Sequence, residues 1–336
     1  MVQRLWQCLL FWQYRGPGRA TQATLPGLWR ACHAYHLGLM PTHHSSANRR
    51  GIAAMSVGMA SFLANDGLVK YLSESLPAAQ LICIRGVFAT VLMLLIARHM
   101  GLLRPSPVAG AAPLRHLVRG PVLLRSLLDA LATVAYLGAL FHMPIGNATA
   151  INSASPLFLT LYAALVWREP VGPVRWLLVV GGFAGVMLIV QPNASGFNAW
   201  ALVCLLATML HAARDVLTRV IPPTVPSVMV TLSTAATVAV LAGVLSLFEG
   251  WQAVTPKQLA LLATASVFLS GGYYFVILGM REGDVSVISP FRYTSLLYAL
   301  LIGWAVWGDI PNALAMAGIA LLVGAGVLMV RVGGRR

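Results

Sequence analysis

The chain has 336 residues, 58% of them hydrophobic and only 10% charged, with a mean hydropathy of +0.78. Soluble globular domains carry about 25% charged residues, so a water-soluble domain is excluded and an all-α membrane protein is expected. The formal charge of +14 does not indicate nucleic acid as a partner, because the arginines stand between apolar runs rather than on one basic face. Of the four cysteines, Cys8 and Cys32 lie near the start and Cys83 and Cys204 inside apolar runs, with no metal-ligand spacing. No disulfide framework, metal site or cofactor is expected.

The first fifty residues hold Arg4, Arg15, Arg19, Arg30, Arg49 and Arg50 and no acid, with an apolar stretch from Leu5 to Trp12 too short to span a bilayer. They are read as a basic segment (1–50) separate from the folded body, with translation expected to start at Met40. From there, apolar runs of about 20 residues, each able to cross roughly 30 Å of hydrocarbon as a helix, fall near 52–71, 78–97, 122–142, 146–167 and 174–190. A polar break at Gln191, Pro192 and Asn193 precedes five more, near 197–217, 227–248, 258–279, 285–307 and 312–330. The first run is interrupted by Asn65, Asp66 and Lys70, the last of which is expected to snorkel to the interface.

Ten spans place thirteen arginines on one side: Arg49 and Arg50; Arg98, Arg104, Arg115 and Arg119; Arg168 and Arg175; Arg219; Arg281; and Arg331, Arg335 and Arg336. The other side has Lys257 and, at a helix end, Lys70. Positive residues resist translocation, so both termini are expected to be cytoplasmic. The halves also match one another: Val166, Trp167 and Glu169 pair with Val306, Trp307 and Asp309 at an offset of 140, and Ala184, Gly185 and Val186 with Ala325, Gly326 and Val327 at 141. Because five helices is an odd number, a second copy enters from the opposite side. The expected architecture is two inverted five-helix repeats, 51–192 and 193–331, with the substrate at their interface.

The stretch MPIGNATAINSASPLFLTLYAALVWREPVGPVRWLLVVGGFAGVMLIVQP, from Met143 to Pro192, resembles the EamA-type repeat of the drug/metabolite transporter superfamily, as does EGDVSVISPFRYTSLLYALLIGWAVWGDIPNALAMAGIALLVGAGVLMV in the second half. In both, a short polar turn enters a helix containing Ser-Pro, an acidic residue ends that helix, and a Gly-rich helix follows. The resemblance covers roughly residues 51–330. It implies a transporter of a small metabolite, and the segments NDGLVK, IRG and SPFRYTSLLY look most like bacterial members that include riboflavin and S-adenosylmethionine transporters. Arg168, before Glu169, departs from the small residue common there.

A charge within hydrocarbon is costly unless paired or facing water, so each intramembrane ionisable residue is a site candidate. Asp66 and Arg85 fall at similar depth on the first two spans and are expected to pair, either as a substrate or gating site or as a structural ion pair. Arg125 and Asp129 stand four apart on one face of the third span; Asp129, near mid-depth, is the first candidate for coupling and Asp66 the second. His211, Arg214 and Asp215 end the sixth span, either as an internal cluster with Arg292 and Tyr293 or, for Arg214 and Asp215, as interfacial residues; His211 is a further coupling or gating candidate. Arg292 and Tyr293 lie about two turns into the ninth, and Arg292 at that depth is expected to need a partner or an anion. Pro156 and Pro290, each after a serine, leave a carbonyl unpaired and are candidate hinges. Asn152, Ser153, Tyr293 and Thr294 supply uncharged hydrogen-bonding groups, and Tyr136 could stack on a flat ligand or simply fill the core. Gly181 with Gly185, and Ala320 with Gly324, have the small-xxx-small spacing of packed helices.

The function expected is secondary transport of a small polar metabolite across the cytoplasmic membrane by alternating access. No phosphate-loop motif is present. A membrane enzyme acting on a lipid-like substrate needs a catalytic cluster that the residues do not assemble, so no enzyme is expected. A receptor or scaffold remains the other alternative, and a homodimer is left open.

Overall fold

The computed structural model describes residues 43–103, 120–166, 172–190, 199–218, 220–222, 225–282 and 285–333. Met40, most of the basic segment, Glu169 and the polar break at 191–193 lie outside them. Residues 46–336 form one compact unit, built from the helices below.

Among the described residues every regular element is helical. The order is α1 (His43–Ser73), α2 (Ala78–His99), α3 (Gly120–His142), α4 (Ile145–Asn152), α5 (Ser155–Val166), α6 (Pro173–Val190), α7 (Ala199–Thr218), α8 (Ser227–Glu249), α9 (Pro256–Glu282), α10 (Val285–Ile288), a 3-10 turn (Ser289–Tyr293), α11 (Thr294–Ile302), a π turn (Gly303–Trp307) and α12 (Ala313–Gly333). Proline sets several starts. Pro77, Pro144 and Pro226 stand just before α2, α4 and α8 with extended ψ of 142°, 136° and 138°, and α6 and α9 begin on Pro173 and Pro256, positions where its missing N–H costs nothing.

Seven helices (α1, α2, α3, α6, α7, α8 and α9) are long and apolar enough to cross a membrane, and α12 contains a shorter apolar stretch, Ala313–Met329. Two of the ten apolar runs are not continuous helices. The fourth opens at Ser153 and Ala154, between α4 and α5. Pro156 can neither donate to the carbonyl of Asn152 nor avoid crowding it. The ninth is built from α10, the 3-10 turn, α11 and the π turn, with Pro290 at the start of the tight segment. The prolines are not in equivalent positions, but the breaks are: Ser153 and Ala154, displaced by 140 residues, fall on Tyr293 and Thr294, where 3-10 passes into α. After the π turn, Gly308 reverses the chain at φ +70°, a conformation that excludes most side chains.

Contacts define two ends of the bundle. At one, Ala79 N–H donates to Glu249 (2.7 Å), Gln258 to Ser75 (3.0 Å) and Trp307 Nε1 to Glu74 (2.9 Å), and His142 stacks on Trp200. At the other, Gly51 meets Gly279 and Ile288, and Ala97, Val122, Val225 and Met229 form a small core. Lys70 belongs to the first end but does not snorkel outward: it is buried, donates to the main-chain oxygens of Leu140 (3.1 Å) and Met143, and lies 5.3 Å from the Trp307 ring centroid. The unpaired carbonyls at the end of α3 satisfy the ammonium better than an interface would.

The most extensive pairings are α2 with α8, α6 with α12 and α3 with α7. The α6–α12 crossing is main chain against main chain. A β-carbon on Gly185 would lie 2.8 Å from the Gly318 carbonyl oxygen, and one on Gly318 2.6 Å from that of Gly185. The expectation for Gly185 therefore holds, whereas Gly181 and Gly324 face open space, and Gly318 is the partner that spacing alone did not identify.

Candidate functional site

Polar side chains meet inside the bundle in two groups. The first joins α1, α2 and α3. Arg85, 4% exposed, donates from Nη1 to Asn65 Oδ1 (3.2 Å), Asn65 Nδ2 donates to Asp66 Oδ1 (2.9 Å), and the Tyr136 hydroxyl donates to Asp66 Oδ2 (3.1 Å). The expected Asp66–Arg85 pair is thus made through Asn65, a residue the sequence reading treated only as an interruption. The Arg85 Nε, fully enclosed, has no acceptor among the described residues. A buried donor left unmade costs about 1–3 kcal/mol.

The second group joins α3, α4 and α7. Asp129, 2% exposed, accepts from Arg214 Nη1 at 2.6 Å and has Arg125 Nη1 at 3.8 Å and His211 Nε2 at 4.0 Å. Arg214 also pairs with Asp215 at 2.8 Å. Arg125 reaches Thr218 (2.9 Å) on α7 and Thr234 (2.8 Å) on α8. His211 Nδ1 lies 3.0 Å from Asn152 Oδ1, one residue before the opening of the fourth segment. Arg214 is therefore an interior residue, as in the internal-cluster alternative rather than the interfacial one: it is the closest cation to Asp129, and the in-helix Arg125 is secondary.

The two groups touch through aromatic rings. Tyr136 and His211 meet edge to face, with centroids 6.1 Å apart. Tyr273 on α9 lies within electrostatic reach of Arg85, Asp129, Arg125 and Arg214, and sequence reasoning did not single it out. The polar residues form a column from Arg85 to Asp215 through five segments.

The structure does not bring Arg292 into that column. It is exposed, on the 3-10 turn, and an arginine reaching solvent or a headgroup does not need the buried partner expected for it. Tyr293 next to it packs against α12, where its hydroxyl occupies the place a β-carbon on Gly326 would take. Pro156 stands two residues after the opening at Ser153 and Ala154, and Pro290 lies within the 3-10 turn. A separate cavity of about 380 Å³ opens at the Glu74 end of the bundle, lined by Pro144, Asn147, Leu300, Gly303, Asp309 and Pro311 among others; it does not include the column. Among the described residues no group of His, Cys, Asp and Glu is arranged to hold a metal ion.

A multi-span helical membrane protein whose interior carries charged and hydrogen-bonded side chains beside an interrupted helix has the features of a transporter, since such groups persist in hydrocarbon where they serve a pathway. The chain belongs to the EamA-like transporter family, whose pattern matches it twice, over residues 49–191 and 198–331. It is 31% identical over 219 residues to a riboflavin transporter of Rhizobium johnstonii, covering 65% of this chain and 70% of that protein. It is 27% identical to a pseudopaline exporter of Pseudomonas aeruginosa (84% and 96% covered) and 24% identical to an S-adenosylmethionine uptake transporter of Rickettsia conorii (81% and 90%). A solved crystal structure, 18% identical, superposes with a TM-score of 0.55 over 86% of this chain and 98% of that one, which shows a shared fold. The protein is accordingly a small-molecule transporter of the drug/metabolite superfamily.

Proposed function

We propose that the chain carries a small polar metabolite across the cytoplasmic membrane by alternating access, with ten crossings arranged as two inverted five-helix repeats, 51–192 and 193–331. Three observations support the repeat: the helix breaks recur at an offset of 140, the tandem family match divides the chain at the same place, and α2–α8, α6–α12 and α4–α11 are packed pairs, each joining corresponding members of the two halves. The arginine bias puts the Gly51 end and both termini in the cytoplasm and the Glu74 end outside.

The observation that carries the transport reading is the column linking α1, α2, α3, α4 and α7. Arg85, with its enclosed and unmet Nε donor, is the proposed contact for an anionic group of the substrate. Tyr136 completes that contact, Asp66 beside it is the coupling or gating residue, and His211 and Asn152 connect the site to the opening at Ser153. Asp129 is held by Arg214 and Arg125 and positions α3 against α7. The breaks beside Pro156 and Pro290 are the hinges. The relatives transport riboflavin, S-adenosylmethionine and pseudopaline, and these define the chemical range to test.

The test is thermal stabilisation of the purified full chain by riboflavin, S-adenosylmethionine, amino acids and nucleosides, followed by counterflow of any hit in proteoliposomes. A ligand that binds the folded state raises the melting temperature with concentration. Stabilisation with saturable counterflow, both lost in Arg85→Ala, is expected. Stabilisation without flux would make the protein a receptor, and chemical conversion of the ligand would make it an enzyme.

A further inference from the structure

We infer that Asp66 is the seat of a coupling proton, taken up when a substrate carboxylate occupies Arg85, so that one proton and one carboxylate cross together without net charge. This rests on the transport reading above and specifies its energetics.

The argument begins with charge balance. In the second group Asp129 and Asp215 face Arg125 and Arg214, two against two, with direct contacts. That group is neutral and closed. In the first group Asp66 faces one cation, Arg85, and the hydrogen-bonded link between them runs through the Asn65 amide. Asp66 is half-buried, whereas Asn65 and Arg85 are almost wholly enclosed. Asp66 is thus the carboxylate in the column with no guanidinium directly upon it, and it is partly exposed where Asp129 is 2% exposed.

An incoming carboxylate that engages Arg85 adds one negative charge to a neutral, water-poor site. Uncompensated charge is strongly disfavoured there. Protonating Asp66 restores neutrality: the proton is taken from one aqueous phase and returns to the opposite phase when the carboxylate leaves. The hydrogen bonds allow it. A protonated Asp66 still accepts from the Tyr136 hydroxyl on Oδ2, and a protonated Oδ1 can donate to Asn65 Oδ1 once Arg85 has turned to the substrate. The titratable or charged groups that face Asp66 are Arg85 on α2 and Tyr136 on α3; behind them stand Cys204 and the His211 imidazole on α7 against Tyr136 and Tyr273 on α9 near Arg85, and Lys70 is one turn along α1. Only Arg85 and Lys70 are cations. Lys70 is already committed to the carbonyls of Leu140 and Met143, so it cannot neutralise the arriving anion.

The experiment uses purified full chain in weakly buffered detergent solution with a pH indicator. The carboxylate probes are S-adenosylmethionine, glutamate and citrate; decarboxylated S-adenosylmethionine and riboflavin lack the carboxylate. Each probe is first adjusted to the pH of the protein. Binding of a carboxylate probe is expected to take up about one proton per site, with affinity falling by up to tenfold per pH unit as pH rises. Asp66→Asn, which imitates the protonated side chain, binds the same probe without proton uptake and with affinity independent of pH; in vesicles it retains counterflow and loses accumulation driven by a pH gradient. Asp309→Asn, at the separate cavity, keeps the proton uptake. Carboxylate binding by the unmodified protein without proton uptake overturns the inference, and that measurement decides even if Asp66→Asn fails to fold. Binding or flux of riboflavin alone overturns the carboxylate coupling and leaves the transporter standing, whereas no binding and no flux of any probe removes the transport reading itself.

Discussion

The Asp66 group and the Asp129 group are built from the same residue types, yet they solve the buried-charge problem in opposite ways. Asp129 has three cationic or protonatable neighbours within 4.0 Å, and its closest partner spans two helices. Asp66 has an amide and a phenol as direct partners, and its cation stands one residue away. Direct ionic contact fixes helices to one another. An ion pair mediated by an amide costs less to rearrange, and rearrangement is what a transport site requires. The lesson is that depth in the bilayer does not distinguish a structural charge from a working one; the directness of its partners does.

The contrast can be broken most forcefully at Arg214. Arg214→Ala leaves Asp129 with the more distant Arg125 and is expected to destabilise the fold by about 3–5 kcal/mol, the cost of stranding a buried charge, seen as a lower melting temperature in detergent. Adding Asp129→Asn to that variant should recover part of the loss, and no recovery would mean that Arg214 acts elsewhere. Tyr136→Phe removes one hydrogen bond to a carboxylate and is expected to cost about 1.5–3 kcal/mol, with a proportionally larger effect on flux than on melting if Asp66 is the working charge. Asp66→Asn keeps the shape and both hydrogen-bonding neighbours, so its melting temperature should change little while gradient-driven accumulation disappears. Asn152→Ala leaves His211 without its 3.0 Å partner and is expected to cost about 1 kcal/mol. Equal losses of stability in Asp66→Asn and Arg214→Ala would erase the distinction between the groups.

Much of this was legible in the sequence, and what was not has identifiable causes. Hydropathy found the continuous helices because an apolar run reports one segment at a time. The first helix starts at His43 rather than near residue 52, since HHSSANRR is polar without being helix-breaking, and hydropathy cannot see a helix that has left the apolar core. Spacing four apart put Arg125 beside Asp129, a contact within one helix. Arg214 on Asp129 and Asn65 between Asp66 and Arg85 are contacts between helices, set by crossing angle and rotation, which no single segment encodes. Proline signalled both breaks, but that they recur at the same offset while the prolines do not emerged only from the backbone. Arg292 is exposed, and counting residues from a helix end gave its depth but not its facing, which the three-residue repeat of the 3-10 turn that carries it sets differently from an α-helix.

The seam between Gly185 and Gly318 has a mechanical consequence. Side chains between two helices act as a bearing: they change rotamer and let one helix slide past the other. Here carbonyl oxygens stand where a β-carbon would have to go, so the seam has no bearing and shear along it must break main-chain contact outright. α6 and α12 therefore form the keel of the molecule, and bending is left to the segments whose hydrogen-bond ladders are already open, at Ser153 and at Ser289–Tyr293.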